Sequence, residues 1–174
     1  MERFVKKRLT LKNGEQYAYI EQGQGEKVFL LIHGNMSSSA YFYELLKRIP
    51  HDIRVLAPDL RGFGDSSYNA RFDSLDELAD DVIDFLSILG VHKVDVLGWS
   101  TGAGVAYKLA AKKPSLVKKI ISLSGASYRG YPIFKKGDHN MPLIGQIYSS
   151  KEEMAKDPVQ VAPALYATAT QNKA

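Results

Sequence analysis

The chain has 174 residues, 45% of them hydrophobic and 24% charged, which is the balance of a globular protein with one ordinary core and excludes a disordered tail or a collagen-like repeat. With no cysteine, it has no disulfide, no thiolate metal ligand and no cysteine nucleophile. The excess of four positive charges is scattered over pairs such as Lys112-Lys113 and Lys118-Lys119, so it reads as solvated surface, with no nucleic-acid or membrane partner expected. The basic start leads into no apolar signal core, and no apolar run nears the ~20 residues that span a bilayer, so the expected location is the cytoplasm.

Residues 4–11 and 16–21 alternate in polarity and are joined at Asn13-Gly14, a hairpin signal. Residues 27–32, 53–57, 94–97 and 120–123 are short, continuously apolar runs of the kind that form buried central strands. Helical patterns separate them. Phe42, Leu45, Leu46 and Ile49 give an amphipathic helix closed by Pro50. Residues 75–89 carry one apolar stripe at 75, 78, 79, 82, 85, 86 and 89, with Ser74 and Glu77 as a capping box and Gly90 as the left-handed stop. Residues 101–113 give a third helix, ended by Pro114. This order predicts an α/β fold, a mostly parallel sheet with helices on both faces and an N-terminal antiparallel hairpin. After Gly125 the pattern fades; residues 128–147 are rich in Gly, Pro and aromatics, Ser150 and Glu153 form another capping box, and Pro158 and Pro163 break the segment after that box into short pieces. Broken helices outside the sheet are expected there.

Three motifs carry chemistry. Gly98-Trp99-Ser100-Thr101-Gly102 ends one strand and opens a helix. A serine on so sharp a turn has a strained backbone and an exposed Oγ, and side chains at Gly98 and Gly102 would clash. The Thr101 amide, at the helix N-terminus, points where negative charge develops on a tetrahedral intermediate. A dinucleotide loop does not fit, because Gly102-Ala103-Gly104 continues into Val105-Ala106-Tyr107 and follows a late strand. Leu31-Ile32-His33-Gly34-Asn35 supplies the second motif; the Asn35 amide, in the turn through Met36 and Ser37, is the candidate second oxyanion donor. His33, at a strand end, reads as a loop brace through ring hydrogen bonds more than as a base. The third motif runs from Asp59 through Arg61, Gly62 and Gly64 to Ser67. It reads as a tight turn in which Arg61 pairs with Asp59 or Asp65, or else as a substrate-binding loop.

Together the three motifs resemble the α/β-hydrolase family. His33-Gly34 matches its oxyanion loop, residues 59–67 its D-x-R-G-x-G-x-S turn, and residues 98–102 its nucleophile elbow. The resemblance implies residues 1–127 as hydrolase core and 128–174 as the beginning of a helical cap. It implies a cofactor-free, metal-free serine hydrolase that cleaves esters or lactones, with Ser100 as nucleophile and Trp99 and Met36 beside the pocket of a small acyl substrate. Relatives with an aspartate nucleophile, such as epoxide hydrolases, are disfavoured by Ser100. The family's acid follows a seventh strand and its base histidine an eighth, so both are expected beyond Ala174, in a longer enzyme, and the 174 residues alone are expected to be inactive. If the sheet stops at the strand of residues 120–123, that strand is an apolar edge open to self-association. The opposing reading is a non-catalytic relative serving as a small-molecule receptor or interaction module.

Overall fold

A computed structural model describes residues 4–125, 134–135 and 138–142. The chain divides into two compact units, residues 1–128 and 129–174.

In the first unit, β1 (Lys7–Thr10) and β2 (Gln16–Gln22) form the hairpin, with Gly14 at φ 86°. They are followed by β3 (Lys27–Ile32), a 3-10 turn (Ser39–Phe42), α1 (Tyr43–Leu46), β4 (Ile53–Pro58), α2 (Leu75–Ile88), β5 (Val94–Trp99), α3 (Thr101–Lys112) and β6 (Val117–Leu123). The six strands make one sheet in the order β1-β2-β4-β3-β5-β6. β2 lies antiparallel on β4, while β4, β3, β5 and β6 are mutually parallel. The strand order reverses at β3, which has β4 on one side and β5 on the other. In open α/β sheets the C-terminal ends of the strands at such a reversal, here β3 and β5, are where ligands bind.

Alternation along the strands splits the core into two layers. Leu30 and Ile32 of β3, Leu56 of β4 and Val94 and Val96 of β5 pack with Leu78, Val82, Phe85 and Leu86 of α2 and Val105, Ala106 and Leu109 of α3. Leu31, Val55, Ala57 and Leu97 face the other way, onto Phe42 and Leu46. Helical structure thus covers both faces, as the alternating pattern implies.

α2 is as its sequence predicts. The Ser74 side chain accepts the Glu77 amide at 3.3 Å, while the Glu77 carboxylate accepts from the Asp73 amide, one residue earlier than a strict capping box. At the other end Gly90, at φ 68°, donates to Ser87 and Val91 donates to Leu86, closing the helix with a paired left-handed cap. The helix expected around residues 42–49 is shorter and tighter. Its apolar positions are right, but a 3-10 turn precedes one α turn, and Arg48 and Ile49 close on Leu45 and Leu46 through i→i+3 bonds. Pro50 sets where this stretch must end, because a residue preceding proline avoids the α region.

Among the described residues β6 is the edge of the sheet, with Ile121 52% and Leu123 48% exposed. In the second unit β7 (Phe134–Lys135) pairs antiparallel with β8 (Asp138–Pro142). Over those residues the expected broken helices are corrected to a short hairpin. Pro132 and Pro142 bracket the stretch, and each lacks the amide that a helix would need. The capping box at Ser150 and Glu153, and the interruptions at Pro158 and Pro163, lie outside the described residues. Among the described residues no helix is long and apolar enough to cross a membrane.

Candidate active site

Ser100 joins β5 to α3 with φ 53° and ψ −118°, a backbone conformation that non-glycine residues rarely occupy. The turn is held from outside by the Ser100 amide, which donates to the Leu123 carbonyl of β6 at 2.9 Å, and from inside by the Ala103 amide, which donates to the Ser100 carbonyl at 3.0 Å. Gly98 and Gly102 permit the turn by lacking side chains. A Cβ on Gly98 would lie 2.5 Å from the Ala103 Cα, and one on Gly102 would lie 2.2 Å from the Ile32 carbonyl oxygen. The second contact shows how closely α3 begins against the end of β3.

That closeness brings two of the sequence motifs together. A Cβ on Gly34 would meet the six-membered ring of Trp99 at 3.0 Å and the Ser100 Cβ at 3.1 Å. The His33-Gly34 turn and the serine turn therefore touch at the C-terminal ends of adjacent parallel strands, where Ile32 pairs with Gly98. Beyond Gly34, Asn35 and Met36 are exposed; the Asn35 side-chain oxygen accepts the Met36 amide at 3.0 Å and stabilises Met36 at φ 55°. Thr101 sits in the first turn of α3, where helix geometry leaves amides without a partner inside the helix. Trp99, Ser100 and Thr101 are all half-buried.

His33 is fully buried and committed on both ring nitrogens. Nδ1–H donates to the Gly34 carbonyl at 2.7 Å and Nε2 accepts the Leu60 amide at 2.9 Å, an arrangement that requires the neutral ring. Burial holds its pKa below the ordinary value, outweighing the opposing pull of the Gly34 carbonyl and the Asp59 charge. The ring also packs edge-on to Phe63, 5.5 Å between centroids. His33 is a brace, and it is not free to take a proton from Ser100.

The turn of residues 59–67 is also built as a brace, but its ion pairs differ from the expected ones. Arg61 does not pair with Asp59 or Asp65. It makes a two-pronged pair with Asp81 of α2, Nε to Oδ2 at 2.7 Å and Nη2 to Oδ1 at 2.5 Å, with Glu15 4.0 Å away. Asp81 is 2% exposed, so its charge demands a cation, and the planar guanidinium matches it. Asp59 instead accepts the amides of Ser39 at 2.7 Å and Asp65 at 2.8 Å and the Lys6 ammonium at 2.6 Å. Burial alone would raise the Asp59 pKa, but these donors more than compensate and hold it below the usual value. Gly62 and Gly64 carry positive φ angles of 80° and 57°, and a Cβ on Gly64 would strike the Asp59 carboxylate.

Lys6, Glu15 and Asp81 do not stand out in the sequence as site residues. Asp81 nonetheless carries a readable signal: three residues after Leu78 and four before Phe85, it lies inside the apolar stripe of α2, where an acid must have a partner. Tyr41 is equally inconspicuous. Its ring stacks on Trp99 with centroids 4.0 Å apart and planes 2° from parallel, and no periodicity announces that contact.

The other histidines of the first unit are remote from Ser100. His51 precedes β4 and His92 precedes β5, at the N-terminal ends of the parallel strands, whereas Ser100 follows the C-terminal end of β5. Among the described residues no group of His, Asp and Glu side chains is arranged to hold a metal ion.

A serine turn touching a glycine turn at the reversal of a parallel sheet defines a hydrolase scaffold, and sequence comparison agrees. The profile of the alpha/beta hydrolase fold family matches residues 27–171, and the chain belongs to that family. Human serine hydrolase BPHL is 34% identical over 123 residues, covering 67% of this chain and 42% of that protein. The epoxide hydrolase CorEH, a solved structure, superposes with a TM-score of 0.70 at 27% identity, covering 82% of this chain and 48% of that one. A thermophilic esterase from Thermogutta terrifontis superposes with a TM-score of 0.65 at 26% identity, covering 71% of this chain and 46% of that one. The chain spans about a third to a half of the length of the curated relatives it matches.

Proposed function

We propose that Ser100 is the nucleophile of a hydrolase that cleaves carboxylic esters or lactones through an acyl-enzyme. The observation that carries this is the Ser100 backbone, held at positive φ on a turn packed against Gly34. Such strain costs about 1–3 kcal/mol and persists where exposing the hydroxyl is useful. A purely binding pocket gains nothing from it, which weighs against the receptor reading.

In the proposed reaction Ser100 Oγ attacks the acyl carbon and gives its proton to a base. The carbonyl oxygen becomes an oxyanion between the Thr101 and Asn35 amides, then collapse expels the alcohol and leaves the acyl-serine. Water repeats the attack and releases the acid. Trp99 and Met36 border the substrate. Epoxide opening, the activity for which CorEH is named, is less suited to this site because a serine hydroxyl stands at the nucleophile position. With His33 committed, His51 and His92 at the wrong strand ends, and His139 next to Asp138 in the chain, where neighbours rarely point at one another as acid and base, the base and its acid are assigned outside residues 1–174. Residues 1–174 alone are then expected to be inactive, and residues 128–174 are the proposed beginning of a cap.

The test is p-nitrophenyl acetate turnover by the full-length protein and its Ser100→Ala variant. Loss of turnover in the variant is expected. Equal rates would defeat the proposal, and turnover by residues 1–174 alone would defeat the assignment of the base to sequence elsewhere.

A further inference from the structure

Tyr41 is a large aromatic side chain left 56% exposed beside the serine turn. It is not loose: one face lies flat on Trp99, and the ring also meets the buried Phe42 at 84°, 5.8 Å between centroids. Trp99 in turn is fixed by the close approach of Gly34, at a point shared with the Ser100 Cβ. Met36, 47% exposed on the loop that leaves Gly34, adds a further apolar and polarisable side chain to the same loop region. Exposed apolar surface held in one orientation is preorganised for a ligand, because little side-chain freedom remains to be lost on binding. Two parallel rings present π surfaces that favour a third planar, conjugated group in offset contact over a saturated one of equal size.

We propose that Tyr41, stacked on Trp99, is a specificity-determining residue that binds the planar part of the substrate, so that the preferred acyl groups are aromatic or conjugated. The proposal rests on Ser100 as the reacting centre, because that places the acyl group beside Trp99. It is testable without turnover, since Trp99 is the only tryptophan of residues 1–174 and the emission change that a Trp99→Phe variant loses reports the platform directly.

The experiment titrates the protein with benzoate and with cyclohexanecarboxylate, which share a charge and nearly a size but differ in planarity. Benzoate is expected to change Trp99 emission saturably and to bind about fivefold more tightly than its saturated counterpart. Tyr41→Phe keeps that preference, because the ring is retained. Tyr41→Ala abolishes it while a urea midpoint near that of the parent protein verifies the fold. Equal affinity for the two acids, no saturable change with either, or a preference surviving in Tyr41→Ala would overturn the proposal. Absent ester turnover alongside an intact benzoate preference would instead count against Ser100 alone.

Discussion

Two regions at the ends of the central strands are built on opposite principles. Below the serine turn, His33, Asp59, Arg61 and Asp81 are buried, and every one is matched by a named donor or acceptor. Around the turn itself, Ser100 and Met36 hold positive φ angles, and Met36 and Tyr41 are exposed. The paired layer ties β3, the 59–67 turn and α2 into one unit, and on that base the neighbouring backbone can be held away from its relaxed conformation. The contrast teaches that damage below should appear as lost stability, whereas damage above should spare or even improve it.

The largest expected effect comes from breaking the Arg61–Asp81 pair. Removing one partner leaves a buried charge uncompensated, so Arg61→Ala should lower stability by about 3–5 kcal/mol in urea unfolding. A loss below about 1 kcal/mol would mean that the pair is exposed in solution. Asp59→Ala should rank next, at about 2–3 kcal/mol, because it strips the Ser39 and Asp65 amides and the Lys6 ammonium of a shared acceptor.

Acid should dissolve the same layer in order. His33 and Asp59 both have folded pKa values below their ordinary values of 6.5 and 3.8, so the unfolded chain binds protons more readily than the folded one. Their contributions are complete above those ordinary values and are lost as pH falls through the folded ones. Stability should therefore decline from below pH 6.5 through His33, and further from below pH 3.8 through Asp59. His33→Gln should remove the first limb from a plot of urea midpoint against pH; an unchanged limb would assign it to another group.

The smallest effect has the opposite sign. Ser100→Gly should raise stability by about 1 kcal/mol by relieving the positive φ, while Ser100→Ala, which keeps the strain, should not. If both variants have the parent's urea midpoint, the turn stores no strain.

Much of this architecture is legible in the sequence, for identifiable reasons. β3 falls on the predicted residues 27–32 because a continuous apolar run has few other stable fates in an α/β chain. The end of α2 is written locally in Gly90. The glycines at 98 and 102 are legible because each marks backbone that no side chain could accompany. The partner of Arg61 is not, since Asp81 lies twenty residues along the chain and reaches it only when α2 packs on the sheet. The Tyr41–Trp99 stack is hidden for the same reason, as it joins the 3-10 turn of residues 39–42 to the end of β5, far along the chain. Helix 42–49 misleads because periodicity reports which residues are buried, not how tightly the backbone winds before a proline.

Ser100 is the proposed nucleophile, and neither His33, His51 nor His92 is placed to activate it. A fluorophosphonate reacts only with an activated serine, and mass spectrometry locates the adduct. An adduct is expected on Ser100 in the full-length protein and none on residues 1–174 alone. An adduct on another residue, or an unmodified Ser100 in the full-length protein, would contradict the proposal.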